Sequence, residues 1–278
     1  MSLVAIGILA WLGTWWLNRR LVRMQFRFAH IALPVLFGLA VLVFWECFVR
    51  GMQVSPIILP APSAIAARFL ASADVLWLDF TQTVVKGALS GYLIGAAAAF
   101  VMAIAVDKSS FLQRGLLPIG NFVAALPIVG IAPILVGWFG FDWHSKAAVV
   151  VVMVFFPILV NTVAGLSQST SMQRDLMRTY GAGYWTTLLK LRLPAALPFI
   201  FNGLKVAATL ALIGAIVAEY FGSPTRGMGF RISTEVGRLN IDMVWAEIVV
   251  AALAGSAFYA TVSLLERLTT FWHPSQRG

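Results

Sequence analysis

Charge is the first thing this chain is short of. Only 11% of its 278 residues are Asp, Glu, Lys or Arg, while 60% are hydrophobic, and the mean hydropathy is +0.88. A soluble domain with that composition would expose large apolar patches, so a water-surrounded fold is excluded. Cysteine is reduced to Cys47 alone, which removes an intrachain disulfide, a thiolate metal site and a redox pair from consideration. The three histidines, His30, His144 and His273, fall in widely separated segments and form no HExxH pair, so a metal-dependent membrane enzyme has no support. None of the five lysines has the glycine context of a GxxxxGK[ST] phosphate loop. If the chain takes part in active transport, ATP has to be hydrolysed by another polypeptide.

What the chain does have is long apolar runs. A hydrocarbon core of roughly 30 Å takes about 20 mainly apolar residues to cross as a helix, and six runs qualify: 29–48, 83–106, 116–139, 147–166, 199–220 and 243–265. A shorter run at 3–17 ends at Asn18-Arg19-Arg20. Its positive charge follows the apolar stretch, opposite to a cleavable signal peptide, so it is read as an additional span with its N-terminus outside; a start at Met24 is the alternative. The predicted fold class is therefore all-α, a polytopic membrane protein with a six-helix core plus one additional N-terminal transmembrane helix.

The formal net charge of +9 could point to nucleic acid, but its distribution decides otherwise. Arg19, Arg20, Arg23, Arg27, Lys108, Arg114, Arg174, Arg178, Lys190, Arg192, Arg267 and Arg277 occupy one alternating set of connections, and only Arg50, Arg68, Lys146, Arg226, Arg231 and Arg238 occupy the other. The positive-inside rule makes the first set cytosolic. The basicity reports topology and contact with anionic headgroups of the lipid bilayer, and no nucleic acid partner is expected.

No linker divides the chain between 29 and 265. The expected organisation is an N-terminal span with a basic cytosolic linker (1–28), one membrane core (29–265) with a cytosolic loop at 167–197, and a cytosolic tail (266–278). The outside segment SPIILPAPSAI, with Pro56, Pro60 and Pro62, reads as a fixed elbow followed by a short helix. A second outside loop around SPTRGMGF reads as a surface cap. The third core run contains Pro118, Pro127 and Pro133. Such a bent span either lines a pathway or packs through its small residues. No internal repeat is visible, which argues against a secondary transporter built from inverted repeats.

The most informative stretch is RDLMRTYGAGYWTTLLKLRLPAALP, a polar, basic segment between two apolar runs. Over twenty residues of cytosolic helix suit a docking element for a soluble partner. It resembles the loop of ABC importer permease subunits, in which Glu-Ala-Ala is followed by three residues, a Gly, nine residues and Ile-x-Leu-Pro. Asp175, Leu176 and Met177 stand at the Glu-Ala-Ala positions, Gly181 at the glycine with Ala182 after it, Leu191 at the Ile, and Leu193-Pro194 at the close. Asp replaces Glu, and Leu-Met replaces the two alanines, so that turn is bulkier. Gly181 is expected to permit a bend between two short helices and Pro194 to end the second, leaving a stiff knob. An amphipathic helix on the headgroups would explain Trp185, Lys190 and Arg192 but not the spacing.

FWECFVRGMQVSPIILPAPSAI, WFGFDWHSK, FFPILVNTVAGL, NGLKVAATLALIGAIVAEYFG and RGMGF extend the resemblance to the importer permeases that serve nitrate, sulfonates, taurine, and pyrimidine or riboflavin-type nutrients. The GLK at 203–205 looks closer to permeases for thiamine-precursor pyrimidines and riboflavin than to sulfonate permeases. The resemblance implies a multi-pass protein of the bacterial plasma (inner) membrane that works as two copies, a homodimer. It implies a cytosolic ATP-binding cassette ATPase dimer and an external or periplasmic substrate-binding protein, with no cofactor on this chain and ATP and Mg on the ATPase. The competing classes are an ATP-independent secondary transporter or channel and an insertase-like structural protein.

Polar residues inside spans need partners or water. Asn121, Asn161 and Asn202, with Pro127 and Pro133, are candidates for lining the route, interhelical hydrogen bonding being their ordinary use. Lys205 and Glu219 are two further candidates. Fourteen residues of helix put them about 21 Å apart, so they cannot pair with each other. Lys205 and Lys86 can also snorkel to the headgroups, with Glu219 a candidate partner for Lys86.

Overall fold

The computed structural model describes residues 2–23, 29–124, 126–222 and 225–272. All regular structure among them is helical, with no strand. This is what the missing water dictates, since a lipid-immersed segment has to satisfy its backbone internally. Five helical stretches are long and apolar enough to cross a membrane: Ile31–Gly51, Ala73–Lys108, Trp143–Leu166, Tyr184–Gly222 and Ile241–Thr269. The helices sort into two compact units, one of the described residues up to Leu76 with Ile232–Ile248, the other of Trp77–Arg231 with the described residues from Val249 onward.

In the first unit, α1 (Ser2–Arg23) and α2 (Ala29–Gly51) form an antiparallel pair. The run predicted at 3–17 is thus a longer helix of 22 residues. A Cβ on Gly7 would lie 2.8 Å from that of Cys47, and one on Gly51 would lie 2.7 Å from the Val4 side chain. Small residues at these crossings let the backbones approach where no hydrophobic force separates helix from lipid. At the C-terminal end of α1, the Arg19 and Arg20 guanidinium groups stack on Trp15 and Trp16 at 4.5 and 4.1 Å. The outer elbow is pinned by Glu46 of α2, whose carboxylate accepts the Ser63 N–H at 2.9 Å and the Ser63 hydroxyl at 2.7 Å. The helix expected after the elbow is α3 (Pro62–Ala71), with proline in its first turn.

The second unit is built on α4 (Ala73–Lys108), which contains a π-type stretch at Thr81–Leu89. The chain continues through α5 (Ser110–Ala124) and α6 (Ile128–Phe139), then α7 (Trp143–Leu166). Next come α8 (Ser171–Thr179), α9 (Tyr184–Gly222), α10 (Met228–Gly237) and α11 (Ile241–Thr269). α4, α7 and α9 share the core, in which Ala99, Val150, Val154, Leu159, Ala207 and Ala211 are buried. Contact is close at glycines: a Cβ on Gly91 would fall 2.5 Å from Val150 Cβ, and one on Gly203 would fall 2.9 Å from Asn161 Cβ.

Two sequence expectations are modified. The run 116–139 is not one bent span but two helices, with Pro127 in extended conformation (φ −69°, ψ 112°) before α6. Proline has no N–H to give the preceding turn and pushes its predecessor out of the helical region, and α6, with 12 residues, is about 18 Å long, too short to cross alone. Nor does Pro194 end a helix. α9 runs unbroken from Tyr184 to Gly222 through both Pro194 and Pro198. A proline ring normally collides with the carbonyl four residues back, and a wider π-type turn at Leu188–Arg192 lies just before Pro194.

Candidate functional site

The polar loop between α7 and α9 contains α8. Thr170 caps it, accepting the Gln173 N–H at 3.2 Å while the Gln173 side chain accepts the Thr170 N–H at 2.9 Å, a reciprocal capping box. The helix closes at Gly181, where the Ala182 N–H reaches the Met177 carbonyl at 3.0 Å and the Gly181 N–H reaches Arg178 at 2.9 Å. This is the Schellman pattern, which needs a left-handed residue, and Gly181 has φ +69°. With both ends fixed, α8 presents Met172, Leu176 and Tyr180, spaced four apart and 80%, 55% and 79% exposed. The stripe is an exposed apolar face on a polar segment. Asp175 is exposed beside Arg178, whereas Met177, Ala182, Leu191, Leu193 and Pro194 are half-buried.

Beneath the loop, Leu188, Ala196 and Ile200 of α9 are buried with Leu166 of α7, and Phe100 and Ile104 of α4 pack against them. One ion pair ties these elements together. Arg192 donates Nη1 to Asp107 Oδ2 at 2.7 Å and Nη2 to Oδ1, while its Nε and Nη2 reach the Leu166 carbonyl at 3.0 and 2.9 Å. The Tyr184 hydroxyl donates to the same carboxylate at 2.8 Å. Arg192 sits at the unspecified position of the Ile-x-Leu-Pro motif, and sequence reading counted it only as one more cytosolic charge.

The opposite, outer end of the second unit holds a buried polar cluster. Asp79 accepts the Gly227 N–H at 2.7 Å and Arg231 Nε at 2.8 Å. Thr83, in the π-type stretch, donates to Glu219 Oε2 at 2.6 Å and accepts the Met228 N–H at 2.8 Å. The Gly229 N–H adds to Glu219 Oε2 at 3.1 Å, and Lys146 donates to the Phe141 carbonyl and, at 2.6 Å, to the Gly222 carbonyl. Gly227 has φ +118°, and a Cβ on Gly229 would lie 2.0 Å from the Ile216 carbonyl, so RGMGF is a plug seated on carboxylates. Glu219, singled out as a route residue, is placed beneath this plug. Asp79, Thr83 and Lys146 carried no motif that sequence reading could use.

The other route candidates are dispersed. The Asn121 side chain lies outside the described residues. Pro127 marks the α5–α6 break, and Pro133 lies inside α6; both are exposed. Asn161 and Asn202 are brought together, the Asn202 amide donating to Asn161 Oδ1 at 3.1 Å and Asn161 donating to the Pro157 carbonyl at 2.8 Å. Lys205 is held by Glu266 of α11 at 2.7 Å. Among the described residues no group of His, Cys, Asp and Glu could hold a metal ion.

Residues 91–271 match the family described as the binding-protein-dependent transport system inner membrane component. The chain is 32% identical over 247 residues to the formylaminopyrimidine transport permease protein ThiX of Halalkalibacterium halodurans, covering 87% of this chain and 96% of that one. It is 30% identical to the riboflavin transport system permease protein RibX of Chloroflexus aurantiacus, covering 90% and 93%. It is 28% identical to a putative aliphatic sulfonates transport permease protein of Bacillus subtilis, covering 86% of each.

Proposed function

The chain belongs to the family of binding-protein-dependent transport system inner membrane components, the permeases of ABC importers for small nutrients, and from that premise we propose what it carries and how it is driven. It is a multi-pass protein of the bacterial inner membrane. In the proposed assembly, two copies form the membrane pore, a cytosolic ATPase dimer binds ATP and Mg, and an external binding protein delivers the solute. The observation that carries the coupling reading is α8, with both ends fixed and the stripe Met172, Leu176 and Tyr180 turned outward. A groove on the ATPase holds that stripe, and closure of the ATPase moves it.

The test uses the chain's single cysteine to advantage. With Cys47 replaced by serine, Met172→Cys is expected to form a specific cross-link to the co-expressed ATPase, while Trp138→Cys, at the exposed end of α6, is expected to form none. Absence of the Met172 cross-link from an intact, co-purifying complex would sink the coupling reading.

For the substrate, the proposed class is a small heterocycle such as a thiamine-precursor pyrimidine or riboflavin. Supporting it are the two relatives named for such nutrients and the neutralisation of Lys205 by Glu266, which leaves the lysine of the GLK motif unavailable to an anion. Lys86, exposed near the outer end of α4, favours the second reading, import of sulfonate, taurine or nitrate. Uptake by reconstituted transporter distinguishes them: labelled formylaminopyrimidine or riboflavin is expected to accumulate without competition from taurine, alkanesulfonate or nitrate. Accumulation of taurine or nitrate instead would reverse the assignment.

A further inference from the structure

We propose that the Arg192–Asp107 pair is the joint through which movement of the cytosolic loop reaches α4, and that Arg192 is therefore a positioning residue for transport. The inference rests on the coupling reading of α8.

The loop is covalently continuous with α9 alone in the C-terminal direction, because Tyr184–Gly222 is one helix. Displacement of α8 is passed to α9 by the chain itself, but α4 ends at Lys108, far away in sequence, and needs a non-covalent connection. The apolar cluster around Leu166, Leu188 and Ile200 offers contact without direction. Arg192 adds direction. Its planar fork grips both oxygens of Asp107, one residue from the end of α4, and the same group reaches the Leu166 carbonyl on the last residue of α7. The C-terminal ends of α4 and α7 meet α9 on one guanidinium, in a geometry a lysine ammonium cannot reproduce.

Tyr184, at the start of α9, donates to the same carboxylate, so the acid is held from two points of α9 eight residues apart. The side chains of Arg192 and Asp107 are 15% and 11% exposed. At that burial a charged pair is weakly screened and resists separation, and removal of one partner strands the other. The pair is thus a tie that carries load.

The test uses the full transporter with its ATPase in nanodiscs, in the Cys47→Ser background, with an environment-sensitive fluorophore at one of two exposed positions. Val101→Cys reports on α4 and Val206→Cys reports on α9, at 68% and 44% exposure. Trapping the ATPase with ATP and vanadate is expected to shift both reporters. In Arg192→Gln the Val101 shift is expected to fall about fivefold while the Val206 shift and ATP hydrolysis stay near the unsubstituted values, because only the tie is cut. Asp107→Ala cuts it from the other side, and the same pattern is expected.

A full Val101 shift in both variants would overturn the proposal, as would proportional loss of both shifts, the mark of a pair that only stabilises the fold. Failure of the coupling reading is separable: it appears as a missing Met172 cross-link in protein with the native Arg192, whatever the reporters do.

Discussion

Gly181→Val is expected to abolish uptake while leaving the protein inserted at its normal level. The reason is backbone conformation. Nothing lies within 4 Å of a Cβ built at this position, so a side chain would meet open space. The residue, however, has φ +69° and closes the Schellman turn. A left-handed conformation costs an L-residue about 1–2 kcal/mol, and a β-branched one is a genuine outlier there. The least costly escape is to lose the two terminal hydrogen bonds at Ala182 and Gly181 and re-aim α8. That displaces the Met172, Leu176 and Tyr180 stripe from its partner without touching the spans. Gly181→Asn, which tolerates the left-handed region, is expected to keep most uptake. Transport assays paired with immunodetection of membrane-inserted protein check both variants, and normal uptake by Gly181→Val would count decisively against the loop as a coupling element.

The second large effect is expected at the outer cluster. Asp79→Ala removes the fully buried acceptor of the Gly227 N–H and one partner of Arg231. Leaving the buried Gly227 N–H without its acceptor costs about 1–3 kcal/mol. The expected result is a marked drop in the melting temperature of purified protein, with loss of the 226–230 plug. Asp79→Asn keeps an acceptor oxygen for the Gly227 N–H and is expected to lie between the two. The plug glycines add an independent check: a Cβ at Gly229 would fall 2.0 Å from the Ile216 carbonyl, so Gly229→Ala is expected to destabilise despite being the smallest side chain that can be added. Thermal melting in detergent measures all three. An Asp79→Ala protein as stable as the unsubstituted chain would show that Arg231 and Gly227 find other partners.

Some features were legible because they are local. Apolar run length gives membrane spans, since the bilayer thickness is an external ruler. The positional bias of arginine and lysine orients them. The Asp175 to Pro194 spacing marks the cytosolic loop, because a capped helix, a left-handed glycine and a helix re-entry must follow in fixed order along the chain. The prolines were legible as perturbations but not as outcomes. Pro127 precedes a helix in extended conformation, whereas Pro194, just after the π-type turn at Leu188–Arg192, and Pro198 lie inside one, and propensity alone does not foretell which outcome a proline has.

By itself, then, the sequence determined that this chain is a helical multi-pass membrane protein with the loop motif of an importer permease, because hydrophobic length and motif spacing are one-dimensional quantities. Only the tertiary structure decided what the isolated charges do. Asp107 and Arg192 lie 85 positions apart and Asp79 and Arg231 lie 152 apart. Lys205, expected either to snorkel or to face the route, is satisfied by Glu266, 61 positions away. A charge in a low-dielectric interior takes whichever partner the folded helices bring within reach, and that choice is made in space, across separations along which composition and periodicity carry no signal.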